Sequence, residues 1–176
     1  MRLFVAVLLE ELIKDCLCDV IEEMRPYAVR GNFSRRENLH LTLAFLGETD
    51  RLDAAKQAIH RTAADPFFVQ LNELGSFRGR GGDLYWAGFE KSTELFSLQE
   101  NLVKQLADVG FVLEKRKYSP HLTLGRQIQF ERGADIQRFQ KVLRPLNMKV
   151  NKISLMSSER IQGRLTYTEL DSQTLQ

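Results

Sequence analysis

Histidine is scarce in this chain, with three among 176 residues, and cysteine is scarcer, with only Cys16 and Cys18. Side chains two residues apart on a helix point away from each other, so the two thiols cannot converge on one metal. Their short separation also opposes a disulfide between them. No Cys/His spacing of a zinc site occurs anywhere. Two unpaired thiols fit a reducing compartment, and a cytoplasmic location is expected. No apolar run approaches the ~20 residues of a spanning helix. The start, Met1–Glu10, lacks a cleavage-site pattern and reads as a strand rather than a signal peptide, so no membrane association is expected. Charge of one sign is missing too: 25 Lys and Arg against 23 Asp and Glu leave a net charge of +2. Composition alone therefore says little about a polyanionic partner. A P-loop, a GxGxxG after a strand and a GxSxG are all absent. The run Gly79–Arg80–Gly81–Gly82 precedes a strand and reads as a hairpin loop. What remains is 43% hydrophobic and 27% charged, ordinary values for a folded chain.

Periodicity places the elements. Arg2–Leu9 reads as a buried strand, and residues 10–25 as an amphipathic helix, with Leu12, Ile13, Leu17, Val20, Ile21 and Met24 at helical spacing. Residues 27–38 are polar and basic and read as a loop. Leu39–Leu46 is a strand and 51–63 a helix. Pro66 opens a β region with pieces at Phe67–Leu71, Leu74–Phe77 and Leu84–Phe89. Leu95, Leu98, Leu102, Leu106 and Val109 mark a third helix ended by Gly110. His121–Ile128 is a strand, Gly133–Leu143 a fourth helix, and Met148–Leu155 and Leu165–Leu170 are strands. The order gives an α+β fold with mainly antiparallel sheets.

One tetrapeptide occurs twice: His40-Leu41-Thr42-Leu43 and His121-Leu122-Thr123-Leu124. Applied without a gap, the offset of 121 − 40 = 81 also lays Leu3 on Leu84, Phe4 on Tyr85, Ala6 on Ala87, Leu8 on Phe89 and Arg35–Arg36 on Arg116–Lys117. The chain is a duplicated strand–helix–loop–strand–helix unit. Two copies are too few for a solenoid, so a pseudo-two-fold pair around a shared cleft is expected. It forms a single domain over 1–176, with one lobe near 1–65 plus 146–176 and the other near 66–145.

Strand alternation gives the tetrapeptide its chemistry. His40 and Thr42 share one face while Leu41 and Leu43 enter the core, and the same holds for His121, Thr123 and their leucines. A lone histidine on a strand is most often a packing residue. Two of three histidines in identical tetrapeptides at matching repeat positions are harder to assign to packing. His60 falls on Lys141 under the offset and reads as a surface residue. A neutral imidazole can accept a proton while an imidazolium donates one. In-line displacement at phosphorus needs such groups on opposite sides, with hydroxyls on the non-bridging oxygens. A strained 2′,3′-cyclic phosphate suits that geometry, and neither metal nor cofactor is needed. Arg126 follows His121 by five residues, off the His/Thr parity, so its reach to the phosphate depends on strand twist or a strand end.

These residues resemble the 2H phosphoesterase superfamily, defined by two His-x-Thr/Ser-x motifs. Within it the chain is similar to the RNA 2′,3′-cyclic phosphodiesterases, historically called 2′-5′ RNA ligases. The matching text is Arg2-Leu3-Phe4-Val5-Ala6, Glu37-Asn38-Leu39-His40-Leu41-Thr42-Leu43-Ala44-Phe45-Leu46-Gly47, Leu84-Tyr85-Trp86-Ala87-Gly88 and Pro120-His121-Leu122-Thr123-Leu124-Gly125-Arg126. The resemblance implies a bilobal α+β fold with two antiparallel sheets about a cleft. It implies hydrolysis of a terminal 2′,3′-cyclic phosphate on RNA or a nucleotide to a 2′-phosphate. His40 would be the proton donor and His121 the proton acceptor, with Thr42, Thr123 and Arg126 holding the phosphate. A monomer is expected. The rivals are an esterase for small cyclic phosphates or 2′-5′ linkages, including reversible ligation, and a non-catalytic nucleotide-binding module. Binding of long RNA through Arg35–Arg36 and Lys115–Lys117 is a further expectation.

Overall fold

A computed structural model describes every residue, Met1–Gln176. The first half begins with β1 (Arg2–Leu8), whose Leu3–Val7 are all buried, and α1 (Glu11–Met24), whose Ile13, Cys16, Leu17, Val20, Ile21 and Met24 form one buried stripe. It continues with β2 (Ala28–Phe33), β3 (His40–Glu48) and α2 (Leu52–Arg61). The second half holds β4 (Phe67–Phe77), β5 (Asp83–Phe89), α3 (Thr93–Asp108), β6 (Leu122–Phe130) and α4 (Ile136–Val142). Ser92 caps α3 by accepting from the Leu95 amide at 3.1 Å, and Asp135 caps α4 through the Gln137 amide at 2.9 Å, each satisfying an amide the helix leaves free. The chain ends in β7 (Leu146–Val150), β8 (Lys152–Ile161) and β9 (Arg164–Thr174). No helix is long and apolar enough to cross a membrane.

Two antiparallel sheets result, in the orders β3-β1-β8-β9 and β2-β6-β5-β4-β7. Helices α2 and α3 pack together over the first, and α1 and α4 pack together over the second. Each half thus sends its first helix across to the other half's sheet. One apolar core of 36 buried residues runs through both layers.

The sheets divide the chain differently from the expected lobes. Residues 28–33, read as loop, form β2 and pair with β6, so this part of the first half belongs to the second sheet. Four of its six residues are exposed, which removes the apolar alternation that marks a strand. Residues 146–150, placed with the first lobe, pair with β4 in the second sheet. The single strand read over Met148–Leu155 is two strands in different sheets, separated by Asn151. The two β pieces at 67–71 and 74–77 are one strand with a bulge at Asn72. Gly79–Gly82 is the hairpin loop between β4 and β5.

Candidate active site

The repeat brings its two motifs together. Strands β3 and β6 come into contact across the sheets, and a residue upstream of each motif bonds to the strand of the other. The Ser34 hydroxyl donates to the Thr123 carbonyl at 2.6 Å, and the Tyr118 hydroxyl donates to the Thr42 carbonyl at 3.0 Å. Leu41, Leu43, Leu122 and Leu124 enter the core, as alternation requires, while His40, Thr42, His121 and Thr123 stay half-buried on the opposite face.

Both imidazoles are fixed in the same way. His40 Nδ1 lies 2.7 Å from the Asn38 carbonyl and His121 Nδ1 lies 2.7 Å from the Ser119 carbonyl. A carbonyl oxygen only accepts, so each Nδ1 carries a hydrogen and each Nε2 of the neutral ring is the nitrogen able to accept a proton. His40 Nε2 lies 2.9 Å from Thr42 Oγ1, whereas His121 Nε2 has no protein partner. Burial pushes the pKa of His40 below the ordinary value; the charges of Arg126 and His121 push the same way, against the bond to Asn38. Burial also lowers His121, helped by Arg126 and Arg116.

Arg126 reaches the cleft through a bulge, which resolves its parity. On β6, Thr123 stands opposite Trp86 but Gly125 stands opposite the core residue Tyr85, so Leu124 is the extra residue. Gly125 therefore faces the core and Arg126 the cleft. Its charge acts on His40, His121 and Tyr167. The first half repeats the device. Ala6 is opposite Thr42 and Val5 opposite Ala44, so the extra residue is Leu43 and Phe45 turns to the cleft face, opposite Phe4. Phe45 is the repeat mate of Arg126 and is 57% exposed.

Aromatic rings frame both histidines. The His40 ring lies 4.9 Å from Phe4 and 5.2 Å, at 89°, from Tyr167. The His121 ring lies 5.3 Å, at 90°, from Phe77. Phe4, Ala6 and Met156 form a small buried cluster of their own under Tyr167. Burial raises the pKa of Tyr167 against the charges of Arg126 and Arg2, so it stays a neutral hydroxyl. Sequence reasoning missed Tyr167 and Phe45 as site residues, since a lone aromatic on a strand reads as packing.

The arginines of the two basic runs are engaged within the chain. Arg35 donates to the Leu165 carbonyl and pairs with Glu37, Arg36 pairs with Glu11 and Asp15, and Arg116 pairs with Glu114. His60, on the surface as read, lies 3.3 Å from Asp171.

A family model described as the 2′-5′ RNA ligase superfamily matches residues 13–162. The chain belongs to that superfamily. Among curated relatives, an RNA 2′,3′-cyclic phosphodiesterase of Thermus thermophilus is 31% identical over 186 residues, covering 99% of this chain and 90% of its own. One of Thermotoga maritima is 29% identical over 168 residues, covering 90% and 87%. Among solved structures, apo LigT of E. coli is similar to this superfamily member with a TM-score of 0.78 at 27% identity, covering 99% of this chain and 96% of LigT. LigT has also been crystallised with 3′-AMP, and that structure matches with the same score and identity.

Proposed function

We propose that the chain hydrolyses the terminal 2′,3′-cyclic phosphate of RNA to a 2′-phosphate by metal-independent two-histidine catalysis, acting as a cytoplasmic monomer. The observation that carries this reading is the pair of imidazoles whose Nδ1 atoms are held by backbone carbonyls, leaving both Nε2 atoms for one cleft. In the proposed step, His121 Nε2 takes a proton from water, and the oxygen attacks phosphorus in line with O3′. The P–O3′ bond breaks, its electron pair leaves with O3′, and His40 Nε2 delivers the proton that oxygen needs. The Thr42 hydroxyl beside His40 Nε2 is an acceptor able to hold the imidazolium proton before transfer, and the partnerless His121 Nε2 suits the base. The resemblance gives the same two roles. Thr42, Thr123 and Arg126 hold the non-bridging oxygens as charge shifts onto them.

Metal independence rests on the acid–base pair itself: one imidazole serves the attacking water and the other serves O3′. The activity is supported by the relatives' names. The test is hydrolysis of 2′,3′-cyclic nucleotides and short cyclic-phosphate RNAs with excess chelator, with the product resolved as 2′- or 3′-phosphate. The expected result is a 2′-phosphate, undiminished by chelator, and loss of at least ~100-fold in kcat for His40→Ala and for His121→Ala. Loss of turnover with the metal, or survival in both variants, overturns the mechanism.

A further inference from the structure

Strand β6 carries two extra residues, and Leu124 is the first. Further along, Gly125 stands opposite Tyr85 and Ile128 opposite Asp83, so Leu84 alone faces both Arg126 and Gln127. The other neighbouring strand repeats the count: Arg126 stands opposite Asn32 and Gln129 opposite Arg30, again with one residue to spare. Gln127 takes the spare position in a left-handed conformation, φ 54°. Residues other than glycine rarely adopt it. Gly125 has no side chain, so Arg126 is the one group that β6 displays between its two bulges.

The first half has the same two irregularities, with Leu46 the repeat mate of Gln127 (127 − 81 = 46). There the left-handed turn falls on Gly47, φ 77°, and a Cβ on it would meet nothing within 4 Å. In β6 the turn falls on a residue with a side chain and is gripped from both flanking strands. A Cβ on Gly82, just ahead of β5, would lie 2.4 Å from the Gln127 carbonyl carbon and 2.9 Å from its Cα. A Cβ on Gly31 of β2 would lie 2.8 Å from the Ile128 Cα and 3.1 Å from the Gln127 carbonyl oxygen. The Arg30 guanidinium donates to the Gly81 carbonyl at 2.7 Å, which ties β2 to the hairpin loop. Returning Ile128 to the core, where it is 2% exposed, accounts for a bulge. It does not account for the grip on where that bulge sits.

Two residues facing one partner can be set in two ways. The left-handed residue is either Gln127, which presents Arg126 to the cleft, or Arg126, which presents Gln127 instead. We propose that Gly82 and Gly31 are positioning residues: by fixing the left-handed turn at Gln127, they aim the Arg126 guanidinium at the phosphate between His40 and His121. This deepens, and rests on, the role given to Arg126 in the function proposed above. The hairpin loop at Gly79–Gly82 then acts on catalysis through Arg126 alone.

The test is a pair of double-mutant cycles against Arg126→Ala, read as kcat for a 2′,3′-cyclic nucleotide. Gly82→Ala forces a Cβ against the Gln127 backbone. Gln127→Val leaves both glycines in place but puts a β-branched residue where a left-handed conformation strains it most. Its side chain is exposed, so this variant carries the cycle if Gly82→Ala does not fold. Each should lower kcat by roughly 10- to 100-fold in the wild-type background. With Arg126→Ala already present, each should change kcat by less than about twofold, since no guanidinium remains to misplace. Gln127→Gly keeps the left-handed turn and should rescue kcat to within about twofold of wild type. Equal losses in both backgrounds overturn the proposal, as does a Gln127→Gly variant no better than Gln127→Val. Full kcat in Gly82→Ala and Gln127→Val, with Arg126→Ala impaired, overturns it too and leaves the proposed function standing. Full kcat in Arg126→Ala removes Arg126 from the mechanism, and this inference with it. A wild type without turnover defeats the proposed function itself.

Discussion

The Asn38 and Ser119 carbonyls do for each histidine what an orienting carboxylate does in other acid–base sites: they fix the tautomer and aim Nε2. They add no full negative charge, so their bonds only partly offset the burial and the Arg126 guanidinium that lower both pKa values from the ordinary 6.5. In the free protein both imidazoles are therefore mostly neutral at pH 7. The proposed mechanism needs one protonated and one neutral ring, a form most populated between the two lowered values. The profile of kcat/KM against pH should be a bell whose alkaline limb lies below 6.5, falling as pH rises towards 8. A bound phosphate brings negative charge that raises both values, so the kcat profile should sit at higher pH. An alkaline limb of kcat/KM centred above 7 would contradict the pKa directions behind this prediction. At this scale the site was largely legible: two of three histidines in one repeated tetrapeptide named His40, Thr42, His121 and Thr123. Tyr167 was not, because its contact with His40 is made across the sheet and leaves no mark in local spacing.

Strand irregularities decide which side chains reach the cleft. Perfect alternation would bury Arg126 with Leu122 and Leu124, and one extra residue in β6 turns it outward. The same shift in β3 brings out Phe45, and the bulge in β4 brings out Phe77. Parity read from sequence fails at such points, since an inserted residue shifts every later side chain to the other face. The bulge at Asn72 is patched by α4: Gln140 donates to the Asn72 carbonyl at 3.1 Å and accepts from the Leu74 amide at 2.8 Å. Gln140→Leu removes both partners from a part-buried backbone. It should cost about 1–3 kcal/mol, with Tm falling by some 2–4 °C for each kcal/mol in a chain of this size. Thermal unfolding reads this directly, and an unchanged Tm would mean that water replaces both bonds. β2 was illegible for a different reason: it is an exposed edge whose pairing to β6 is made by backbone, which any polar sequence can supply.

The whole molecule is a duplicated unit whose halves are laced together rather than set side by side. Each half's first helix crosses to the other sheet, β2 adds an edge to the second sheet, and a hydroxyl upstream of each motif bonds the threonine carbonyl of the other. The offset of 81 predicted the pairing of motifs but not the lacing, because a gapless repeat carries chain order and says nothing about crossings. The proposed in-line displacement depends on the separation of its acid and base, so on that reading the lacing has a mechanical consequence. Ser34→Ala and Tyr118→Phe each remove one of the two reciprocal bonds, and each should cost about 0.5–1.5 kcal/mol of stability. Each bond ties the segment leading into one motif to the strand of the other motif, so their effects on kcat should be coupled: either remaining bond keeps the motifs close, and the double variant should lose more than the product of the two single losses. A double-mutant cycle on stability and kcat separates the cases. Strictly additive losses in kcat would show that the cleft is held by the sheets and helices alone, with each hydroxyl serving only its own loop.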